Sequence, residues 1–517
     1  MTSERIPQHP ESYWMETLDL PEFDSLKDDI SVDVAIVGGG ITGVTAGYLL
    51  TQEGLSVALV DAGRLLNGTT GHTTAKITAQ HSLIYDELIQ HAGKNKARLY
   101  YEANHEALDF MRKTTADLRI NCDWQDEDAV VYATTERYAE KLEKEYRAYQ
   151  ALNVAGELGD RIPFDNIKIE RALKMTRQAQ FHPVKYLQRL VRAMLDKGAK
   201  IYENTTAVDV EKGHKPAVIT REGFRVKCRY VLSCSHFPFY EWQGLYFTRM
   251  YAERAYVIAA KASKPYPGGM YISAESPTQS LRSVKINGED MVLVVGENHK
   301  TGQGKDTLEH YQALESFGRD TLGISEPIYR WSAQDLYTLD KIPYIGELTS
   351  AYPEVLVATG YKKWGMTTGT AAALLLRDIV LDRDNRFRSL FAPSRFYADP
   401  SLKKFLLING DVAKHLIQGK FDRPDRAPDE LSNGEGAVVT VHGKRAGAYK
   451  DDDGKLFLVD TTCTHMGCEL EWNHGDRTWE CPCHGSRFSY DGEIVEGPAE
   501  KPLKRLEREE EGGQRDA

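Results

Sequence analysis

SVDVAIVGGGITGVTAGYLLTQEGLSVALVDAG, residues 31–63, changes its hydrophobic period twice. An apolar, β-branched run from Val32 to Val37 meets a glycine turn. Ile41, Val44, Tyr48 and Leu49 then recur at helical spacing, and Val57 to Val60 make a second apolar run. The order strand, turn, helix, strand is that of a β-α-β unit with parallel strands. Gly38, Gly40 and Gly43 form G-x-G-x-x-G at the turn, where backbone amides and a helix N-terminus can approach a pyrophosphate. Asp61 ends the second strand about twenty residues on, where a carboxylate can bond both hydroxyls of an adenosine ribose. The stretch predicts a dinucleotide-binding α/β domain.

Outward from this unit the chain divides. Residues 83–119 and 136–152 are rich in helix formers, and a helix is expected to open just after Pro183 and stop at Gly198, with strands around Ile201 and Val208. Between Arg249 and Trp331 shorter β-like runs and turn signals (PYPGG, INGED) predict an antiparallel platform inserted into the nucleotide-binding fold. VLVATGYKKWGMTTGTAAALLLRDIVL, from Val355, reads as strand, glycine-punctuated turn and helix. The polar, proline-bearing stretch 383–430 reads as a docking segment and linker, and short strands follow it. The expected organisation is an N-terminal extension (1–30), an α/β domain (31–382) with a substrate sheet at roughly 240–330, the linker, and a small all-β domain (431–517).

That last region holds CTHMGCELEWNHGDRTWECPCHGS, residues 463–486, with four of the chain's seven cysteines. Cys122, Cys228 and Cys234 are scattered and read as small buried hydrophobes in a reducing compartment. Cys463 and His465 stand in C-x-H, Cys481 and His484 in C-x-x-H, so two loops can grip one compact metal centre. Zinc could use two Cys and two His, but zinc-finger histidines usually form their own pair. The alternation suits a two-iron, two-sulfide cluster with thiolates on one iron and imidazoles on the other.

C-T-H-x-G-C and C-P-C-H-G-S resemble the two boxes of a Rieske [2Fe-2S] domain of the high-potential kind. The resemblance implies cluster ligands Cys463, His465, Cys481 and His484, and a disulfide between Cys468 and Cys483 that ties the loops together. It also implies a hydrogen bond from Ser486 to a bridging sulfide. Where respiratory members carry a tyrosine this chain has Phe488, which predicts a lower potential. His474 matches no role and is expected to be a solvated loop residue. A disulfide runs against the cytoplasmic rule, so either burial protects it or it is partly reduced.

Five pieces between residues 30 and 381 resemble, in family order, the FAD-dependent amine and D-amino-acid oxidases that include glycine and sarcosine oxidases. They are the glycine box, GTTGHTTAK from Gly68, GAKIYENTTAVDVE, WSAQDLYTLDKIPYIG from Trp331, and ATGYKKWGMTTG from Ala358. The resemblance implies that Val208 lies over the adenine, that Thr69 and Thr70 face the pyrophosphate or ring, and that the turn from Gly360 through Gly365 to Met366 aims its amides at the flavin. His72 falls where distant relatives attach flavin through histidine; a hydrogen-bonding role is the alternative. A cysteinyl link is excluded, because no Cys occurs between Cys234 and Cys463. Asp335 occupies the position where oxidases of amino acids carry an arginine for the carboxylate. An acid there repels a carboxylate and attracts an ammonium, or pairs with a nearby cation.

FAD and a Rieske [2Fe-2S] cluster in one chain imply a dehydrogenase that oxidises a small-molecule amine and releases single electrons to an unidentified one-electron acceptor. The alternative is an electron carrier or redox sensor that turns over no metabolite. A Rieske oxygenase is disfavoured because no two histidines stand three or four residues apart, and an NADH-fed reductase because no second dinucleotide box occurs. The net charge of −11 offers no basic field for nucleic acid or anionic lipid, and no apolar run is long enough to span a bilayer. The expected compartment is the cytoplasm.

Overall fold

The computed structural model describes residues 7, 10–213, 215–418 and 424–507, which divide between two compact units. The first lies within residues 1–299 and 310–405, the second within 300–309 and 406–517.

In the first unit the opening stretch forms the strand Val34–Val37, the helix Ile41–Gln52 and the strand Val57–Val60. The two strands pair in parallel at the centre of a six-stranded sheet. Lys200–Tyr202 flanks one side; Tyr230–Ser233, Tyr352–Thr359 and Tyr344–Thr349 flank the other. Every residue of both central strands is buried, as a parallel sheet covered on both faces requires. The helix Ile41–Gln52 packs against the helices Pro183–Asp196 and Gly365–Val380 and is buried on nearly every face.

The second large sheet runs Tyr329–Thr338, Met250–Ala260, Glu289–Lys300, Gln279–Ile286, Met270–Ser273, Gln125–Ala133, Arg171–Gln180, Lys76–Ile77, with Glu157–Gly159 beside Arg171–Gln180. It is wider than the platform expected from 240–330, drawing strands from earlier in the chain. QDEDAVVYA and RALKMTRQAQ carry acids and helix formers, so their extended form is imposed by pairing across the sheet rather than by propensity. Two more elements depart from the sequence reading: Thr307–Leu322 is a helix inside the platform, and Ala398–Gln418 is a helix where a linker was expected.

The second unit has a three-stranded antiparallel sheet (Gly436–Val441, Lys444–Lys450, Leu456–Val459) and a four-stranded one (Glu471–Asn473, Thr478–Glu480, Arg487–Ser489, Ile494–Glu496). Trp479, Phe488 and Leu470 are buried at its core together with Cys463, Cys468, Cys481 and Cys483. Among the described residues no helix is long and apolar enough to cross a membrane.

Candidate functional site

The glycine turn is built by contact. Gly38 has φ +105°, and a Cβ there would lie 2.4 Å from the Cys234 carbonyl oxygen; one on Gly43 would lie 2.0 Å from the Gly38 oxygen. Gly40 precedes the helix Ile41–Gln52 with no side-chain cap of its own, which leaves first-turn amides beyond Ile41 open to a ligand anion. Thr70 Oγ1 accepts from the Ile41 amide at 3.0 Å. Asp61 follows the strand Val57–Val60, its oxygens accepting from Gly39 N (2.6 Å) and Gly63 N (2.9 Å). Burial pushes its pKa up against the pull of those two amides. A carboxylate has acceptor capacity for two further hydroxyls, and an anionic dinucleotide with a ribose fits this set of groups.

Two other segments converge on the strand Tyr329–Thr338. In the 3-10 turn Thr69–His72, Thr69 Oγ1 donates to Gln334 O (3.2 Å), and Trp331 Nε1 donates to His72 O (2.8 Å). His72 Nδ1 donates to Gly68 O at 3.0 Å, the hydrogen-bonding role weighed above. From the other side Lys362 N donates to Leu336 O (3.0 Å), and Gly360, at φ +80°, puts its Cα where a Cβ would meet Thr338 Cγ2 at 2.4 Å. The helix Gly365–Val380 starts here, again without a side-chain cap, with Met366 buried in its first turn. Val208 is half-buried in the strand Ala207–Glu211.

Asp335 therefore lies between the contact points of both segments, and in register with Glu253 on the neighbouring strand. Glu253 Oε2 accepts from Asn298 Nδ2 (2.9 Å); Asn298 Oδ1 accepts from Thr278 Oγ1 (3.0 Å), which in turn accepts from Lys363 Nζ (3.0 Å). Burial lowers the Lys363 pKa while the charges of Glu253 and Asp335 raise it. Sequence reasoning missed Glu253, Asn298 and Lys363. Only the cross-strand register brings Glu253 to Asp335, and no local spacing encodes that.

Two buried histidines of the flavin unit are held neutral. His81 stacks on Trp364 at 4.9 Å, donates from Nε2 to Thr78 O (2.9 Å) and accepts at Nδ1 from Tyr100 OH (2.7 Å). His182 accepts from Lys185 N at Nδ1 and donates from Nε2 to Thr17 Oγ1. Both are neutral imidazoles, and burial pushes each down to about 3. The unfolded chain binds these protons near pH 6.5 and the folded chain does not. Their contribution is therefore full above pH 6.5 and is lost as pH falls, at up to about 1.4 kcal/mol per pH unit for each histidine. Denaturant unfolding between pH 6.5 and 5 is expected to show this slope, reduced by one proton in His81→Gln; an unchanged slope in the variant would refute the assignment.

In the second unit the two boxes form matching turns. Gly467 N donates to Cys463 O (2.9 Å) and Gly485 N to Cys481 O (3.0 Å), with both glycines left-handed. The His465 and His484 rings lie 5.0 Å apart, edge to face. Cys468 and Cys483 form a disulfide, whereas Cys463 and Cys481 are buried free thiols. Among the described residues the sulfurs of Cys468, Cys481 and Cys483 lie within 4.8 Å of one another, but two of these are spent in the disulfide. Hydrogen bonding to Cys481 brings the Cys463 thiol down to about 6 and holds Cys481 protonated, as expected of two sulfurs that share one proton. Two thiols and two imidazoles on facing loops fit a centre with mixed sulfur and nitrogen ligands. Ser486 Oγ bonds Cys463 and accepts from Ala499 N (3.1 Å). His474, expected to be solvated, puts Nδ1 3.3 Å from Asp306 Oδ2.

Residues 33–379 match the model of the FAD-dependent oxidoreductase family, and residues 423–507 that of the Rieske [2Fe-2S] domain. The chain belongs to the FAD-dependent oxidoreductases and carries a Rieske domain. It is 49% identical over 498 residues to YhfW of Bacillus subtilis (strain 168), named for a Rieske 2Fe-2S iron-sulfur protein, covering 96% of this chain and 98% of that one. Gamma-glutamylputrescine oxidoreductase of Escherichia coli (strain K12) is 22% identical over 410 residues, 74% of this chain and 91% of its own. The crystal structure of glycine oxidase from Geobacillus kaustophilus shares the fold of the flavin region at TM-score 0.60 and 18% identity, over 71% of this chain and 99% of that one.

FAD and a [2Fe-2S] cluster are thus the cofactors of this oxidoreductase, and the groups described above fit both. Phe488 is buried without a hydroxyl beside the cluster loops. Phe488→Tyr is expected to raise the cluster's midpoint potential. The scale is one hydrogen bond to a charged sulfur, about 1.5–3 kcal/mol or about 65–130 mV for a one-electron couple. A redox titration showing no rise, or a fall, would contradict the role given to this position.

Proposed function

We propose that this FAD-dependent oxidoreductase is a dehydrogenase that oxidises a small-molecule amine in the cytoplasm and delivers the electrons singly, through its Rieske domain, to a separate acceptor. The observation that supports the reading is the acid pair Glu253 and Asp335, set in register between the two segments that the family resemblance turns toward the flavin. Bound FAD would accept a hydride and the [2Fe-2S] centre would carry one electron at a time.

The chain's own residues set what enters. The carboxylates of Glu253 and Asp335 attract a cationic nitrogen and oppose a carboxylate, while Asn298 and Thr278 fix the orientation of Glu253 and Lys363. Lys363 and Tyr337 are buried beside these carboxylates, whose charges act on both. The relative named for gamma-glutamylputrescine supports an amine, and the buried free thiols of Cys122, Cys228 and Cys234 suit a reducing compartment.

The test is anaerobic mixing of the purified holoprotein with amines, polyamines and N-methylated amino acids, following flavin bleaching together with the low-temperature EPR signal of the reduced cluster. Bleaching by an amine, followed by growth of the cluster signal, is the expected outcome. If nothing reduces the flavin while dithionite reduces the cluster, the dehydrogenase reading fails and the carrier or sensor reading replaces it.

A further inference from the structure

Residues 300–309 lie inside the stretch that the sequence assigns to the flavin domain, yet they group with the Rieske unit. Their fit to the second cluster box is close. Gly302 is left-handed at φ +68°, and a Cβ on it would sit 2.8 Å from Pro482 N, so only glycine lets the segment lie flat on the Cys481–Pro482 peptide. Gln303 Nε2 donates to Pro482 O (3.2 Å) and to Asp411 Oδ2 (3.0 Å), and Lys300 Nζ pairs with the same carboxylate. The residue after Asp411, Val412, is buried among the cysteines, with its carbonyl 3.9 Å from Cys483 Sγ.

The far end of the segment is pinned as well. Thr307 Oγ1 donates to Asn473 Oδ1 (2.8 Å) and accepts from Gly475 N (2.7 Å). Asn473 Nδ2 donates to Glu480, the residue before Cys481. The segment thus touches the second box directly and, through Asn473, the strand that leads into it.

We propose that residues 300–309 are a third cluster loop, in which Gln303 and Asp411 position the second Rieske box and the Lys300 charge favours the reduced centre. Lys300 pairs with Asp411, whose neighbour Val412 lies against Cys483, and it stands two residues before Gly302, which lies on the Cys481–Pro482 peptide. Reduction adds one negative charge to the centre. A neighbouring cation therefore stabilises the reduced form and a neighbouring anion opposes it, in proportion to their separation and the local dielectric. Lys300 and Asp411 pull in opposite directions, and their pairing sets the net effect.

This opposition supplies a test that a purely structural role would not pass. In the full-length holoprotein, with flavin and iron content measured as controls, EPR-monitored redox titration reads the ratio of reduced to oxidised cluster at fixed ambient potential. Lys300→Met is expected to lower that ratio, by up to about tenfold. Asp411→Asn is expected to raise it, and Lys300→Arg to leave it near the parent value. Gln303→Leu is expected to broaden or shift the EPR signal at unchanged flavin content. If Lys300→Met and Asp411→Asn move the ratio in the same direction, or if neither moves it, the charge role is overturned. If Gln303→Leu leaves the spectrum unchanged, the positioning role is overturned. Should Asp411→Asn fail to retain iron, Lys300→Met against Lys300→Arg decides the charge role alone.

Discussion

Cys481→Ser is expected to give a protein that keeps its flavin and holds iron only at background. The thiolate is the metal-binding form of cysteine, and the buried pair Cys463 and Cys481 has one sulfur already eased toward ionisation by its neighbour. A serine hydroxyl neither ionises near neutral pH nor offers the soft donor that iron-sulfur centres use. Removing a group that merely supports a metal ligand costs about 10–100-fold in affinity, and removing the ligand should exceed that. The glycine turn and Asp61 belong to the other unit, so flavin content and bleaching by substrate should persist while the cluster's EPR signal disappears. Breaking the disulfide by Cys468→Ser with Cys483→Ser is the contrasting case. It removes a link across a 15-residue separation, worth roughly 3 kcal/mol, but no ligand, so the cluster should assemble and be lost at a lower temperature. Full iron occupancy in Cys481→Ser would remove that residue from the ligand set.

The parts that local spacing encodes were legible in the sequence. Val34–Val37 and Val57–Val60 announce themselves as short apolar runs because a covered parallel sheet has no polar face, and the cluster boxes because each ligand pair sits on one tight turn. The strands Gln125–Ala133 and Arg171–Gln180 were not legible, since the first opens on a polar, acidic run and the second is rich in helix formers, and pairing across the sheet extends them. The helix Ala398–Gln418 was hidden by Asn409, Gly410 and the prolines around it, which read locally as linker. Glu253, 82 residues before Asp335, joins the site through a register that no motif carries. Gln303 and Pro482 are still further apart in sequence. The residues missed are thus those whose role is created by long-range packing, and they are the ones that tune the site rather than define it.

Arg395→Met is expected to destabilise the flavin unit by about 3–5 kcal/mol, the cost of leaving a buried charge without its partner. Arg395 and Asp340 are 4% and 6% exposed, joined at 2.7 Å (Nε to Oδ2) and 3.0 Å (Nη2 to Oδ1). Arg395 also donates to the carbonyls of Pro343 and Phe391. Burial pushes the Asp340 pKa up, but the Arg395 charge and the hydrogen bonds from Arg395, Ile342 and Thr338 outweigh it, so the carboxyl is held below its ordinary value. The associated stability is present above the unfolded value near 4 and lost as pH falls through the lower folded value. In the variant, Asp340 would keep only Ile342 N and Thr338 Oγ1 as donors, and its pKa should rise. Arg395→Met with Asp340→Asn removes the stranded charge while keeping an acceptor for both, so the double variant should be more stable than Arg395→Met alone. Thr338 packs against Gly360 at the start of the turn proposed to face the flavin, so Arg395→Met should also release FAD at lower denaturant than the parent. Equal stability of the single and double variants, measured by denaturant unfolding, would show that the pair is not coupled and that Arg395 acts through its backbone contacts alone.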